Sequence, residues 1–128
     1  MDYYFSKTID VGFDTAVEKT TQALKNQGFG ILTEIDIKAT LKKKLDVNFK
    51  KYTILGACNP PYAHKALQVE DKIGTMLPCN VIVQEVADGK SEVAAVNPLA
   101  SMQAVENNAL DDIATEIAEK LKKVVESL

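Results

Sequence analysis

The sequence predicts a single α+β domain over residues 1–128, in the order β-α-β-β-α-β-β-α with a long C-terminal helix. Three observations carry this. Short runs of alternating apolar and polar residues are separated by stretches with helical spacing. Asp88-Gly89 stands between two valine-rich runs as a hairpin turn signal. Apolar positions Met102, Val105, Ala109, Ile113, Ile117, Leu121, Val124 and Leu128 then mark one face of a terminal helix that should cover a sheet. With 128 residues, 46% of them apolar, the chain is long enough to bury roughly two-thirds of the surface its unfolded form exposes. No internal repeat divides it, and no linker rich in Pro, Gly or Ser.

Taken in order, Tyr3 to Val11 alternates as a strand, with Tyr3, Phe5 and Lys7 on one side. Asp14 is the expected N-cap of a first helix in which Val17, Thr20, Ala23, Leu24 and Gln27 recur at helical spacing, and Gly28 is its expected stop. Gly30 to Ile37 reads as a second strand. Ala39 to Leu45 is a short lysine-rich turn of helix, and Phe49 to Ala57 is a further β-run ending at Cys58. Asn59 can cap the next helix, and Pro60 suits its first position, where a missing amide hydrogen costs nothing. That helix should run to about Asp71 and close at Gly74. Val81-Ile82-Val83 and Val93 to Val96 complete the sheet as antiparallel neighbours across Ala87-Asp88-Gly89-Lys90.

Several segments carry a family resemblance. Gly28 to Asp36, Tyr52 to Pro60 and Leu77-Pro78-Cys79-Asn80-Val81 resemble the signature segments of the domain-of-unknown-function 302 family, as do Ala63-His64-Lys65-Ala66-Leu67 and Asn97-Pro98. At the last of these the family more often has Asp than Asn. The resemblance spans nearly the whole chain. It implies a TATA-binding-protein-like α+β fold, with one curved, mainly antiparallel sheet of about five strands backed by helices, often as a homodimer. It implies no established activity, so the enzymatic question stays open.

The only two cysteines, Cys58 and Cys79, each neighbour an asparagine, with the only histidine, His64, between them. Thiol, imidazole and carboxamide groups serve metal, redox and nucleophilic chemistry, so this is the candidate site. Strand direction decides whether it exists. Parallel strands would hold the cysteines about 25 to 30 Å apart, whereas antiparallel strands bring them to one sheet end with His64 close by. Tyr52 alternates in phase with Ile54, Gly56 and Cys58 and would line the same cavity, with Gly56 leaving space.

The expected ligand-binding set is therefore Tyr52, Cys58, Asn59, His64, Cys79 and Asn80. Cys58, His64 and Cys79 also form a ligand set for a soft metal such as zinc, although the spacing lacks a tight Cys-x2-Cys element. Alternatively, Cys58 and Cys79 are the thiols of a redox or transfer protein. Cys58, ahead of a helix N-terminus, would attack, and Cys79 would resolve the mixed intermediate. A third reading keeps both cysteines structural, as small buried hydrophobes of an interaction subunit.

Other features bear less chemistry. Glu34 and Asp36 share a strand face that is expected to be solvated, and Lys42-Lys43-Lys44 with Lys50-Lys51 make a local positive patch. A formal charge of −3 argues against a phosphate-backbone binder, so nucleic acid is not an expected partner. No run of some 18 apolar residues and no leader-like start are present, so a cytoplasmic protein without a membrane partner is expected. No Ser-His-Asp order, nucleophile elbow or phosphate-cradling glycine loop occurs. The reading that follows is a dimeric binding module with a Cys/Asn/His pocket for a small ligand or metal.

Overall fold

The computed structural model describes residues 1–128. Five strands form one open antiparallel sheet: β1 (Tyr4–Ile9), β2 (Gly30–Asp36), β3 (Tyr52–Cys58), β4 (Cys79–Ala87) and β5 (Lys90–Val96), in the spatial order β1-β5-β4-β3-β2. Five helices accompany them: α1 (Phe13–Asn26), α2 (Ile37–Leu45), α3 (Pro60–Val69), the single turn α4 (Pro98–Ser101) and α5 (Asp111–Glu126). The α+β class, the antiparallel sheet and the long C-terminal helix are as the sequence predicts. No helix is long and apolar enough to cross a membrane.

The sheet has one covered face. Leu55, Ala57, Val81, Val83, Val93 and Ala95 point from its three central strands into a core completed by Ala16 and Leu24 of α1 and by Ile117, Leu121 and Val124 of α5. Ala16, Thr20, Ala23 and Leu24 are the buried positions of α1, the spacing that puts side chains on one helical stripe. Lys7 donates to the carbonyls of Glu126 and Leu128, satisfying acceptors at the negative end of α5. A smaller cluster of Ala66, Ile73 and Leu110 lies beneath α3.

The turns follow local chemistry. Gln27 caps α1 and Gly28 follows at φ +86°. Phe29 donates to the Leu24 carbonyl and Gly28 to that of Lys25, the paired bonds of a Schellman motif whose positive φ glycine tolerates best. Asp88-Gly89 joins β4 to β5 in a two-residue hairpin, with Ala87 opposite Lys90.

Boundaries differ from expectation where longer-range bonds intervene. Gly12, not Asp14, is the N-cap of α1; Asp14 sits in the first turn, where negative charge suits the helix dipole. Asp36 leaves β2 to cap α2, its Oδ1 accepting from the Ala39 amide at 2.9 Å. Helix α3 stops at Val69, and Gly74 lies inside a 3-10 segment, Asp71–Met76. The expected helix from Met102 to Leu128 is broken before Asp111. Asn107 turns the chain there, its Oδ1 accepting from Ala109 while its Nδ2 donates to the Val69 carbonyl at 2.7 Å.

Candidate functional site

The β3–β4 pairing settles the cysteine question that sequence left open. The strands are antiparallel with Ala57 opposite Cys79, so Cys58 and Cys79 share one end of the sheet. Both are free thiols. Cys79 belongs to the core, in phase with Ala57, whereas Cys58 is one residue out of phase and half-buried. Burial pushes the Cys79 thiol up from its ordinary 9.0 to about 11, with the neighbouring Cys58 adding to the shift. A thiol held that high is protonated at neutral pH and is a poor nucleophile.

The two cysteines stand at the wall of a cavity of about 280 Å³ between the main core and the smaller cluster. Phe29 and Leu32 close one side, Ala63, Ala66 and Leu67 of α3 another, and Ile113, Ala114 and Ile117 of α5 a third, with Leu77, Pro78, Pro98 and Met102 completing the lining. No charged side chain lines it. Its polar groups are the thiols of Cys58 and Cys79, the Asn59 amide and Tyr62. Tyr62 lies beside Lys65 and Lys120, whose ammonium groups are 5.3 and 5.8 Å from its ring centroid. Desolvation, then the Glu116 carboxylate, hold its hydroxyl above the ordinary value.

Asn59 is the N-cap residue of α3, as expected, but its side chain makes no capping bond. Instead Nδ2 donates to the Gln27 carbonyl at 3.2 Å. A carbonyl can only accept, so the orientation of the amide is fixed and Oδ1 points away from Gln27. That oxygen receives no donor from the protein, and since no buried side-chain nitrogen or oxygen lacks a partner it lies open to solvent. The backbone carbonyl of Asn59 takes the amides of Tyr62 and Ala63.

Cys58 does precede a helix N-terminus, but Pro60 and Pro61 supply no amide hydrogen and the next two amides are already bonded to Asn59. No free donor of the first turn remains to hold a thiolate.

Three of the six expected pocket residues, Cys58, Asn59 and Cys79, meet at this cavity. Tyr52 and Asn80 do not: both line a depression on the uncovered face of the sheet, with Tyr3, Tyr4 and Ile82. Tyr52 shares its strand phase with Cys58, but Cys58 is the last residue of β3 and reaches the cavity from the strand end, while Asn80, adjacent to Cys79 on β4, faces the opposite side of the sheet. His64 is exposed on α3, because Tyr62, Ala63 and Ala66 take the inward stripe and leave it outside. No group of three His, Cys, Asp or Glu residues is positioned to hold a metal ion. The proposed Cys58, His64 and Cys79 ligand set is therefore not assembled, and nothing in the donor geometry fits zinc.

Gly56 leaves no space either. A Cβ there would lie 2.1 Å from Thr33 Oγ1 and 2.8 Å from Pro78 Cγ, so the glycine admits neighbours and not a ligand. Glu34 and Asp36 are exposed, as expected of a solvated strand. The residues that sequence reasoning missed are the cavity's apolar walls. Leu32 is one of them, released from the ladder where the β2–β3 register shifts between Ile31 and Thr33.

Residues 5–128 match the Domain of unknown function DUF302. The fold superposes on the crystal structure of an uncharacterized conserved protein DUF302 from Bacillus stearothermophilus with a TM-score of 0.88 and 25% sequence identity, over 97% of this chain and 96% of that one. No curated protein matches the chain.

Proposed function

The chain belongs to the DUF302 family, and from that premise we propose that it is a binding module whose apolar cleft takes a small, mainly apolar ligand. One observation carries the reading: a cleft of about 280 Å³, half open to solvent past the exposed Leu32 and Leu67, is walled almost entirely by apolar side chains. Apolar wall left facing water is unfavourable, and a ligand seated in the cleft removes that area from water. The lining is the usual composition of a small-molecule site, apolar walls with a few placed polar groups.

The thiol-redox reading has one observation in its favour, the shared sheet end of Cys58 and Cys79. Against it stand the Cys79 thiol held near 11 and the proline-blocked first turn of α3. The core position of Cys79 favours a structural role for that thiol.

The expected partner, a second copy of this chain, has an apolar surface available. On the uncovered face Ile35 pairs with Ile54, Ile54 with Ile82, and Ile82 with Ala94, a cross-strand row from β2 to β5. The reading takes the protein to be a cytoplasmic homodimer, each protomer carrying one cavity.

The test is a titration of the methyl-labelled protein with a panel of one- and two-ring hydrocarbons, read by NMR. Saturable shifts at the Ala63, Ala66, Ala114 and Ile117 methyls, abolished by the cavity-filling Ala114→Leu, are the expected result. Unchanged spectra across the panel would sink the reading.

A further inference from the structure

We propose that the lysine-rich connection between β2 and β3 docks on an anionic lipid surface, with its lysines on the headgroups and Leu45, Val47 and Phe49 in the interfacial layer. No helix is long and apolar enough to cross a membrane, so the contact is peripheral. It is independent of the cleft.

Charge is segregated along the chain. Residues 36–51 hold Lys38, Lys42, Lys43, Lys44, Lys50 and Lys51 against only Asp36 and Asp46, a net of +4. The other 112 residues hold nine lysines and sixteen acidic residues, a net of −7. Both aspartates of the segment are committed: Asp36 caps α2 through the Ala39 amide, and Asp46 pairs with Lys42 at 2.8 Å. The other five lysines have no carboxylate within salt-bridge distance.

Exposure is the second observation. Helix α2 contributes no buried residue. Its half-buried positions, Ile37, Thr40 and Leu41, fall at i, i+3 and i+4, one stripe of the helix. From residue 42 to residue 51 every side chain is exposed. Three of these are large and apolar: Leu45 is 66% exposed, Val47 42% and Phe49 39%. Lysines alone would make an ordinary solvated face. Apolar side chains set among them supply the second half of an interfacial anchor, and the Lys50 ammonium lies 5.9 Å from the Phe49 ring centroid.

A bilayer fits this surface better than other polyanions do. All fifteen cationic side chains of the chain are lysines, whereas the planar, bidentate grip on individual phosphates belongs to arginine. Lysines act as point charges in the diffuse field of an anionic leaflet, which extends about one Debye length from the headgroups. A nucleic acid would take the lysines and leave Leu45 and Val47 in water. A lipid surface takes both. The negative remainder of the chain is repelled by the same field, which orients the protein with this segment inward.

The experiment is co-sedimentation of the full chain with vesicles of phosphatidylcholine alone or mixed with phosphatidylglycerol. The expected result is at least about tenfold tighter binding to the mixed vesicles, lost as salt shortens the Debye length from about 30 Å to about 3 Å. The triple variant Lys42→Gln, Lys43→Gln, Lys44→Gln should bind them at least about tenfold more weakly. The chain has no tryptophan, so Phe49→Trp gives a clean reporter, and its emission should shift to the blue on the mixed vesicles only. These positions are exposed, and an unchanged circular dichroism spectrum checks that the variants fold; if they do not, the lipid and salt comparison on the wild type decides alone. No binding to the mixed vesicles, or equal binding to both kinds, would overturn the proposal. So would sedimentation without a blue shift, which would leave the apolar residues outside the lipid. Binding to polyglutamate or to a DNA duplex but not to vesicles would overturn it in favour of a soluble polyanion.

Discussion

Asn59 donates through Nδ2 to the Gln27 carbonyl at 3.2 Å across 32 positions of sequence, so the turn that ends α1 and the turn that begins α3 are held as one unit. The glycine between them makes this contact possible. A Cβ at Gly28 would lie 3.2 Å from Asn59 Nδ2, tighter than ordinary packing. Phe29 follows that glycine and Cys58 precedes that asparagine, and both line the cavity. The junction thus sets one wall of the site as well as the order of two helices.

Removing the junction should therefore cost global stability. Asn59→Ala loses the bond and leaves the half-buried Gln27 carbonyl to water, a loss of about 0.5 to 1.5 kcal/mol. Asn59→Asp should be worse at neutral pH, because a carboxylate cannot donate and would face the carbonyl oxygen. Urea unfolding at pH 7 checks both. Equal midpoints for wild type and Asn59→Ala would mean that the bond contributes nothing.

Gly56 makes a sharper steric prediction. Gly56→Ala places a methyl 2.1 Å from Thr33 Oγ1 and 2.8 Å from Pro78 Cγ, so the β2 side chain and the proline must move. Overpacking of this kind costs about 1 to 3 kcal/mol. Thr33→Ala removes the closest atom, so the double variant should recover part of that loss. A double-mutant cycle on thermal unfolding measures the coupling; strict additivity of the two changes would contradict the contact.

How legible these features were depends on their range. The Asp88-Gly89 hairpin and the Gly28 stop are local chemistry, and both stand as expected. The common end of Cys58 and Cys79 followed once the strands were taken as antiparallel. His64 could have been placed outside, since the Tyr62, Ala63 and Ala66 stripe already defines the inward side of α3. Asn80 could have been separated from Cys79, since successive strand residues point to opposite faces; Tyr52 could not, because its phase matches Cys58 and only the strand end turns Cys58 toward the cavity. The break before α5 was hidden for another reason: Met102 and Val105 keep helical spacing with the residues beyond, yet pack on the separate cluster around Leu110. Only the Asn107 bond to Val69 ends that run. The cavity itself is a mismatch between two clusters, and no local pattern encodes a void.

The Cys79 thiol predicts an alkaline loss of stability. Its folded value is raised from 9.0 to about 11, so between those values the unfolded chain has released a proton that the folded chain still holds. The unfolded state then binds fewer protons, and stability falls as pH rises. The contribution is intact below about pH 9 and lost progressively toward pH 11, by up to about 2 to 3 kcal/mol. Unfolding at pH 7 and pH 10.5 should show this slope in the wild type. Cys79→Ala should flatten it, and an identical slope in both proteins would refute the assignment.

The isoleucine row on the uncovered sheet face makes the last prediction, because its members can be altered without touching the core. Ile54 and Ile82 pair directly across β3 and β4, on the side opposite Leu55, Val81 and Val83, which are all within 1% of complete burial. A charge on this row removes apolar contact area from any partner while leaving the helix-covered face intact. Light scattering of the wild type should give twice the chain mass of 14.0 kDa, and the double variant Ile54→Lys, Ile82→Lys should give 14.0 kDa with an unchanged circular dichroism spectrum. Two like charges placed directly opposite each other weaken the sheet somewhat, so Ile54→Lys with Ile82→Glu serves as the control that keeps the sheet paired. If that variant is as monomeric as the first, lost apolar contact is the cause. A wild-type protein that is already monomeric at micromolar concentration would remove the homodimer from the proposal and leave the cavity as the binding surface.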